Sequence, residues 1–312
     1  MNIYHDLKQL KKSLRNPVLT IGNFDGVHKA HLTLFDLVKE RSGLISGQSV
    51  VMTFEPHPVK IMSPENAPPL ITPIQQKLKL INTAGMDVIL CLPFNKEFAA
   101  ITAKNFVREI LIEQLAVKEL VVGYDYTFGS CRGGNIELLH SMGKQYGFRV
   151  HIIPPVIIDD IVVSSTSIRR LVKDGNLDDA KKLLGRNYQI CGTVVQGKNR
   201  GGRLLGFPTA NLRLIDELTP KPGVYAVKVL IDGEISNGLT NIGFNPTFGK
   251  NPFSVETHIL DFSKNLLGRI IKVIFVKRLR DEKAFESIED LTYQISQDII
   301  KAREIFRIRN SD

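Results

Sequence analysis

The sequence has no tryptophan, only three cysteines, and no apolar stretch as long as the roughly 20 residues that a membrane-spanning helix needs. Because Cys91, Cys131 and Cys191 are scattered and form no CxxC pair, we expect reduced thiols and no disulfide framework. The amino terminus is polar and lysine-rich, unlike a secretory leader. These absences argue against the membrane-spanning and the disulfide-stabilised secreted classes, so we expect a cytoplasmic protein.

The charge balance is basic, but the charge is not concentrated. Lysine and arginine outnumber the acidic residues by 41 to 32, which gives a net charge of +9 at pH 7. A basic chain can bind nucleic acid or phosphorylated small molecules. Because the basic residues are dispersed and no aromatic residues alternate with them, we expect small anionic ligands rather than nucleic acid or a membrane. The 312 residues, 43% of them hydrophobic, are enough for two domains with packed cores.

Residues 20–31, TIGNFDGVHKAH, combine glycines with two histidines at the junction of two patterns. The apolar residues before them predict a buried strand, and the apolar residues after them recur at helical spacing. Because tight turns need glycine, Gly22 and Gly26 predict a loop between the strand and the helix. His28 and His31 then lie near the first helical turn, and residues three apart share one face of a helix.

The start of a helix presents free backbone N–H groups and a partial positive charge, which suit a phosphate. Two imidazoles on that face could hold a triphosphate and stabilise charge during phosphoryl transfer. Two other interpretations stay open, namely an ordinary turn with surface histidines and a two-histidine metal site. The metal site is disfavoured because no further cysteine or histidine cluster lies nearby in the sequence.

The first half of the chain alternates apolar strand-like segments with helical periodicity. Segments such as 49–54 and 88–92 stand between helices, a pattern typical of a doubly wound parallel sheet. Ligands bind beyond the carboxyl ends of such strands. The loop at 123–135, which follows a strand, holds Asp125, suited to a ribose hydroxyl, and Arg132, suited to a phosphate. The alternative is a structural loop in which these two residues form a solvent-exposed ion pair.

Residues 164–170, SSTSIRR, open another predicted helix. A Ser/Thr cluster at this position caps the first backbone N–H groups of the helix. Its hydroxyls, together with Arg169, also suit an anion. The two roles are compatible.

From about residue 185 the pattern changes to short β-branched segments separated by Gly, Pro, Asn and Asp. This change predicts a compact antiparallel barrel, followed by one amphipathic helix over about 287–309. The expected fold is an α/β domain with a doubly wound parallel sheet over residues 1–184. A small antiparallel β-barrel domain with a C-terminal helix follows over residues 185–312.

The segment 197–212, GKNRGGRLLGFPTANL, alternates basic residues with glycines, whose backbone N–H groups can face an anion. Thr209 and Asn211 offer hard oxygens suited to Mg²⁺ beside substrate phosphates. A flexible basic hairpin is the alternative. The Walker order GxxxxGK[ST] and its following helix are missing, so the segment is not a P-loop of that type.

Three motifs, GNFDGVHKAH at 22–31, GYDYTFG at 123–129 and SSTSIR at 164–169, resemble in this order the amino-terminal module of bacterial bifunctional riboflavin kinase/FAD synthetases. That module is similar to nucleotidyltransferases with a His-x-Gly-His signature. The resemblance implies AMP transfer from ATP to FMN, with His28 and His31 acting at the ATP phosphates. It further implies ATP and phosphate contacts by Gly22, Asn23, Phe24, Asp25, Asp125, Arg132, Ser165, Thr166 and Arg169.

Three further motifs, LGFPTANL at 205–212, NIGFNPTF at 241–248 and VETHILDF at 255–262, resemble the riboflavin kinase module of the same family. The resemblance implies that Thr209 and Asn211 hold Mg²⁺ and that Glu256 is the general base for the ribityl 5′-hydroxyl. It also implies ATP and phosphate contacts by Gly197, Lys198, Arg203, Gly206 and Pro208. Without the motif, Glu256 would be interpreted as a partly exposed strand residue that shares one face with Ser254 and His258.

The paired motifs predict an enzyme that phosphorylates riboflavin to FMN and adenylylates FMN to FAD. The resemblance implies Mg²⁺ as cofactor, ATP as co-substrate, flavins as the other substrates and products, and at most a weak homo-oligomer. One position departs from the signature, since Ala30 stands where it has glycine. If that methyl group crowded the nucleotide, the chain would be a riboflavin kinase alone. A flavin- or nucleic-acid-binding regulator is the other alternative, and the dispersed charge argues against it.

Overall fold

The computed structural model describes residues 2–10, 14–197, 207–214, 217–244 and 253–308. Contacts within it divide the chain into two compact units, Met1–Ser165 and Thr166–Asp312. Among the described helices, none combines the length and the apolar character that crossing a membrane would require.

The first unit is built on a six-stranded sheet in which every neighbouring pair of strands is parallel. The spatial order is β1-β4-β3-β2-β5-β6. The strands are β1 (Ile3–Tyr4), β2 (Pro17–Ile21), β3 (Gln48–Glu55), β4 (Val88–Pro93), β5 (Glu119–Gly123) and β6 (Arg149–Ile153).

Helices lie between most of these strands. They are α1 (Lys29–Leu44), α2 (Pro58–Met62), α3 (Ile74–Thr83), α4 (Lys96–Ala99), α5 (Ala103–Asn105) and α6 (Ile136–Tyr146), with α5 continuing as a π-helix over Phe106–Gln114. Single 3₁₀ turns occur at Leu7–Gln9, Pro64–Asn66 and Ser130–Arg132, and a short antiparallel hairpin pairs β7 (Ile157–Ile158) with β8 (Ile161–Val162).

Neighbouring residues of the central strands are buried on opposite faces of the sheet, because successive side chains point in opposite directions. Leu19 and Met52 belong to one buried cluster, and Val18 and Val51 belong to another. Both faces are therefore covered, which explains why these strands have continuous apolar sequences. The predicted doubly wound parallel sheet is confirmed.

Glu119 has a buried carboxylate and is the first residue of β5, so it lies at the amino end of that strand. Its oxygens accept hydrogen bonds from Arg41 Nε at 2.7 Å and Arg41 Nη2 at 3.0 Å, and one lies 2.7 Å from His151 Nε2. The hydrogen bond from Arg41 is the main reason that the pKa of Glu119 lies below its ordinary value. The cluster joins α1, β5 and β6.

The second unit opens with two helices, α7 (Ser165–Lys173) and α8 (Leu177–Leu184), and continues as a closed six-stranded barrel. Every neighbouring pair in the barrel is antiparallel, in the order β10-β13-β12-β11-β14-β9. The strands are β9 (Gln189–Val195), β10 (Ala210–Arg213), β11 (Gly223–Ile231), β12 (Glu234–Gly243), β13 (Ser254–Ile259) and β14 (Ile270–Arg280).

The long helix α9 (Ile288–Ile308) follows the barrel and packs Ala302 and Phe306 against Val224, Leu239 and other apolar residues of the strands. The predicted barrel and C-terminal helix are confirmed. Strand β10 is an addition, because the sequence pattern indicated only the loop in which it lies. The predicted boundary at residues 184 and 185 stays a prediction.

Glu217 is a second buried carboxylate, next to the barrel strand β9. Its Oε2 accepts the backbone N–H of Cys191 at 2.9 Å, whereas its buried Oε1 has no hydrogen-bond partner within the described part of the chain. Burial raises the pKa of Glu217 to about 7.

Replacing Glu119 by alanine should lower the free energy of unfolding by up to about 3 kcal/mol, because it removes a buried carboxylate that accepts hydrogen bonds from the partly exposed Arg41 guanidinium. Urea unfolding followed by circular dichroism measures the loss. Glu109→Ala is the matched control, since the ion pair of Glu109 with Arg108 is exposed and is expected to contribute little to stability. Equal losses in the two variants would contradict a structural role for the Glu119 cluster.

The raised pKa of Glu217 means that the folded state holds this proton at pH values where the unfolded chain has released it. The free energy of unfolding should therefore fall as pH rises from about 4.5 to about 7. Glu217→Gln removes this contribution, and we expect it to be more stable than the parent at pH 8 by at most about 3 kcal/mol. Urea unfolding at pH 5 and pH 8 tests this. The control Glu234→Gln, at an exposed position, should keep the parent's pH dependence of stability. If Glu217→Gln also kept it, Glu217 would not be its source.

Candidate active sites

The loop between β2 and α1 is held in a conformation that its own residues do not favour. Phe24 and Val27 have φ values of 49° and 38°, in the left-handed region that residues other than glycine seldom adopt. Each such residue costs of order 1–3 kcal/mol and persists only where surrounding contacts enforce it. The loop follows a central strand at its carboxyl end, so the contacts that enforce it also shape this edge of the sheet.

Asp25 anchors this loop through its buried carboxylate. Its buried carboxylate accepts the backbone N–H groups of Ile71 and Thr72 at 3.0–3.1 Å and the Thr72 hydroxyl at 3.3 Å. The Thr72 hydroxyl also accepts the N–H of Gly26 at 3.0 Å. Ser165 donates its hydroxyl to the Asp25 carbonyl at 2.8 Å. Asp25 therefore supports the loop, and its predicted contact with a nucleotide stays a prediction.

His28 and His31 cap α1 reciprocally. His28 is the N-cap, and each Nδ1 accepts the backbone N–H of the other histidine at 3.4 Å. The two rings stack with centroids 3.5 Å apart and an interplanar angle of 18°. A nitrogen that accepts a hydrogen bond carries no proton, so the neutral rings are protonated at Nε2. The cap thus fixes the tautomer and turns both Nε2–H donors away from the helix backbone.

Phe24 packs behind this histidine pair. Its ring meets His31 edge-on, with centroids 5.1 Å apart at 85°, and meets Phe35 at 5.0 Å. Gly22 permits this position, because a Cβ there would come within 3.0 Å of the Phe24 ring. The Asn23 carbonyl is turned towards the protein, where Thr53 and Lys77 donate to it. The structure brings residues 22–31 together, with Phe24 buried behind His31.

Asp125 and Arg132 lie in the loop that follows β5, and both are exposed. The structure records no ion pair between them, so the alternative of a solvent-exposed pair is not what forms. Backbone hydrogen bonds between Phe128 and Gly134 close the loop.

Thr166 and Arg169 lie in helix α7, which begins at Ser165, and they belong to the second unit.

In the barrel, strand pairing aligns Asn211, Glu256 and Asn241. Glu256 on β13 lies directly opposite Asn211 on β10 and Asn241 on β12. Residues opposite each other in antiparallel strands share one face, so the three side chains form a row. The Ser254 hydroxyl donates to Glu256 Oε1 at 3.2 Å. The proposed base and one proposed metal ligand are therefore cross-strand neighbours.

The segment before β10 forms one wall of a cleft. Gly197, Pro208 and Thr209 line this cleft of about 420 Å³ together with Thr257, Ile259 and residues of 262–267. His258 Nδ1 lies 2.8 Å from the Pro208 carbonyl and, since a carbonyl only accepts, carries the proton of this hydrogen bond.

Asn211 lies directly against Gly197. A Cβ on Gly197 would be 2.1 Å from Asn211 Nδ2, so a larger residue there would displace the Asn211 side chain. The other predicted phosphate contacts of this segment, Lys198, Arg203 and Gly206, lie outside the described residues.

Sequence reasoning missed three residues that shape these sites, Thr72, Lys77 and His258. Thr72 and Lys77 lie more than 40 residues from the loop that they contact, so no local pattern links them to it. His258 shares a strand face with Glu256, and that alternation was the only sequence signal for it. Within the described residues, no cluster of three or more His, Cys, Asp or Glu side chains is placed to hold a metal.

Comparisons with known proteins cover both units. A family model described as FAD synthetase matches residues 10–167, and one described as riboflavin kinase matches residues 184–306. A protein of Escherichia coli (strain K12) named bifunctional riboflavin kinase/FMN adenylyltransferase is 40% identical over 303 residues, which cover 97% of this chain and 96% of that protein. A protein of the same name from Buchnera aphidicola (subsp. Acyrthosiphon pisum) is 38% identical over 315 residues, with both chains covered completely.

A solved structure from Streptococcus pneumoniae, described as a macrolide-efflux protein, is similar over almost the whole chain. Its TM-score is 0.84 at 32% sequence identity, and the match covers 96% of this chain and 98% of that one. The described fold therefore recurs in an experimental structure.

Proposed function

The chain belongs to the bifunctional riboflavin kinase/FMN adenylyltransferase family, and from that premise we propose how its residues divide the work. It phosphorylates riboflavin to FMN and adenylylates FMN to FAD. The observation that carries this conclusion is the match of both halves, at about 40% identity, to full-length relatives with both activities in their name. We assign residues 1–184 to adenylylation and 185–312 to the kinase. The riboflavin kinase match begins at residue 184, which supports this boundary, although α7 and α8 group with the barrel by contacts.

In adenylylation, the FMN phosphate attacks the α-phosphorus of ATP and pyrophosphate leaves. We assign to His28 and His31 the stabilisation of the charge that develops on the phosphates. The capping arrangement supports this role, because it supplies two preset Nε2–H donors at a helix N-terminus, where an anion is already favoured. Phe24 and Asp25 support the loop. The further ATP and phosphate contacts of this proposal are Gly22, Asn23, Phe24, Asp25, Asp125, Arg132, Ser165, Thr166 and Arg169.

In the kinase reaction, the ribityl 5′-hydroxyl of riboflavin attacks the γ-phosphorus of ATP. We assign Glu256 as the general base that accepts the hydroxyl proton and orients the alcohol for in-line attack. Its place opposite Asn211 and its hydrogen bond from Ser254 support this role. Gly197, Lys198, Arg203, Gly206 and Pro208 are the ATP and phosphate contacts of this proposal, which the position of Gly197 against Asn211 supports.

Mg²⁺ is proposed as the metal of the kinase site, held by Thr209 and Asn211. A hydroxyl and an amide oxygen suit this ion, which prefers oxygen ligands and completes its shell with phosphates and water. Asn211 lies directly against the glycine of the proposed phosphate loop, which supports the placement. When bound, the ion would neutralise charge on the transferring phosphoryl group. The cytoplasmic location and the weak homo-oligomer stay predictions.

Glu256→Gln should abolish the first reaction and spare the second. With riboflavin and Mg²⁺–ATP, the parent should accumulate FMN and then FAD, whereas the variant should form FMN at least about 100-fold more slowly, because it has lost its base. With FMN supplied, its FAD formation should match that of the parent. Chromatography of the flavins gives both rates, and the exposed Glu289→Gln is the control. Parent-like FMN formation, or loss of both reactions, would remove Glu256 from this role.

Two substitutions of His28 separate its cap from its Nε2 donor. Asparagine is a good N-cap residue but has no donor at that distance, so His28→Asn should keep the parent's Tm and lose FAD formation by about 100-fold or more. His28→Ala should lose FAD formation and also lower the Tm. Riboflavin phosphorylation should stay unchanged in both. If His28→Asn makes FAD at the parent's rate, the imidazole has no catalytic role.

A further inference from the structure

Lys77 is a buried lysine that neither predicted active site includes. It lies on α3 with 5% of its surface exposed, and lysine is seldom this buried unless its ammonium is paired. The Nζ donates to two backbone carbonyls, that of Asn23 at 3.1 Å and that of Phe54 at 3.2 Å. Asn23 follows β2 and Phe54 lies near the end of β3, so one ammonium joins the carboxyl ends of two neighbouring strands.

The two carbonyls differ in what depends on them. Asn23 O also accepts the buried Thr53 hydroxyl at 3.2 Å, so two donors orient the peptide between Asn23 and Phe24. That peptide leads into the left-handed backbone of Phe24. The Phe24 ring then packs edge-on against His31. A continuous series of contacts therefore runs from the ammonium to one imidazole of the histidine pair.

The electrostatic surroundings of Lys77 are mixed. Burial is the largest influence on its pKa and lowers it, whereas Cys91, Glu55 and Asp25 act in the opposite direction. The two hydrogen bonds described for its ammonium go to backbone carbonyls. Its visible connection to the reaction is through the loop.

We propose that Lys77 is a positioning residue for FMN adenylylation, which holds the Asn23 carbonyl so that Phe24 fixes the orientation of His31 towards the phosphates. This inference rests on the proposed role of the histidine pair. Because small misplacements of a catalytic group cost far more in rate than in binding, loss of Lys77 should lower kcat and leave KM nearly unchanged.

Two variants test the proposal by removing one donor each from the same carbonyl. Lys77→Met keeps an unbranched side chain of similar length without the ammonium, and Thr53→Val keeps the shape of threonine without the hydroxyl. Ile81→Val is the matched control, since it trims a fully buried residue of the same helix that belongs to the core cluster. For each, the measurements are kcat and KM for FMN and Mg²⁺–ATP in adenylylation, the rate of riboflavin phosphorylation, and the Tm.

We expect Lys77→Met to lower the adenylylation kcat at least tenfold with KM values within threefold of the parent. Thr53→Val should act in the same direction with a smaller effect. Ile81→Val should keep both activities. Riboflavin phosphorylation should stay within twofold of the parent in all three, which shows that the kinase unit is intact, whereas the Tm reports the folding of the first unit. The imidazole ¹⁵N shifts of His31 should change in Lys77→Met and not in Ile81→Val, a signature that general destabilisation would not produce.

Adenylylation within twofold of the parent in Lys77→Met would overturn the proposal. The proposal would also be overturned if the loss of adenylylation rate were proportional to the loss of Tm in the same way in Lys77→Met and Ile81→Val. If Lys77→Met fails to fold, Thr53→Val decides, and a parent-like kcat there rejects the inference. His28→Asn is measured alongside them: parent-like adenylylation in that variant removes the role of the histidines. If Lys77→Met and Thr53→Val keep parent-like adenylylation while His28→Asn loses it, the positioning role of Lys77 is rejected and the role of the histidines stands.

Discussion

The adenylyltransferase half depends on one constraint, the strained loop between β2 and α1. Phe24 and Val27 in this loop adopt the left-handed backbone conformation, which residues with side chains disfavour. Two contacts hold the loop: the Asp25 carboxylate accepts the backbone N–H groups of Ile71 and Thr72, and the Lys77 ammonium donates to the Asn23 carbonyl. The histidine pair follows this loop, so the proposed triphosphate site is built at the edge of a packed sheet.

In the kinase half, the pairing of barrel strands positions the proposed site residues. Its proposed base and metal ligand come from two strands, and antiparallel pairing alone sets Glu256 opposite Asn211. A shift of one residue in this register would turn Glu256 to the other face. Closure of the barrel fixes the register, because β10 pairs with β13 on one side and with β9 on the other. The buried hydrogen bond between Thr240 and Thr257 reinforces the neighbouring row.

Much of the fold could be predicted because its signals are local. Strands such as β3, covered on both faces, have continuous apolar sequences, and the helix after residue 28 has a clear period. Strand β10 escaped prediction because its four residues lie within a motif that reads as a loop. The roles of Thr72 and Lys77 escaped for a different reason: each contacts the loop across more than 40 residues of chain, where periodicity carries no information.

The sequence by itself determined the two-part architecture, the order of strands and helices in each part, and the motifs that identify the family. Each of these is a property of residue order over short spans. Only the tertiary structure decided which groups the candidate residues contact within the protein. It turned the Asp25 carboxylate and the Phe24 ring into the protein, made the histidines cap each other, and set Glu256 beside Asn211. These outcomes follow from burial and hydrogen bonding between distant segments, which free energies of packing select and sequence spacing does not record.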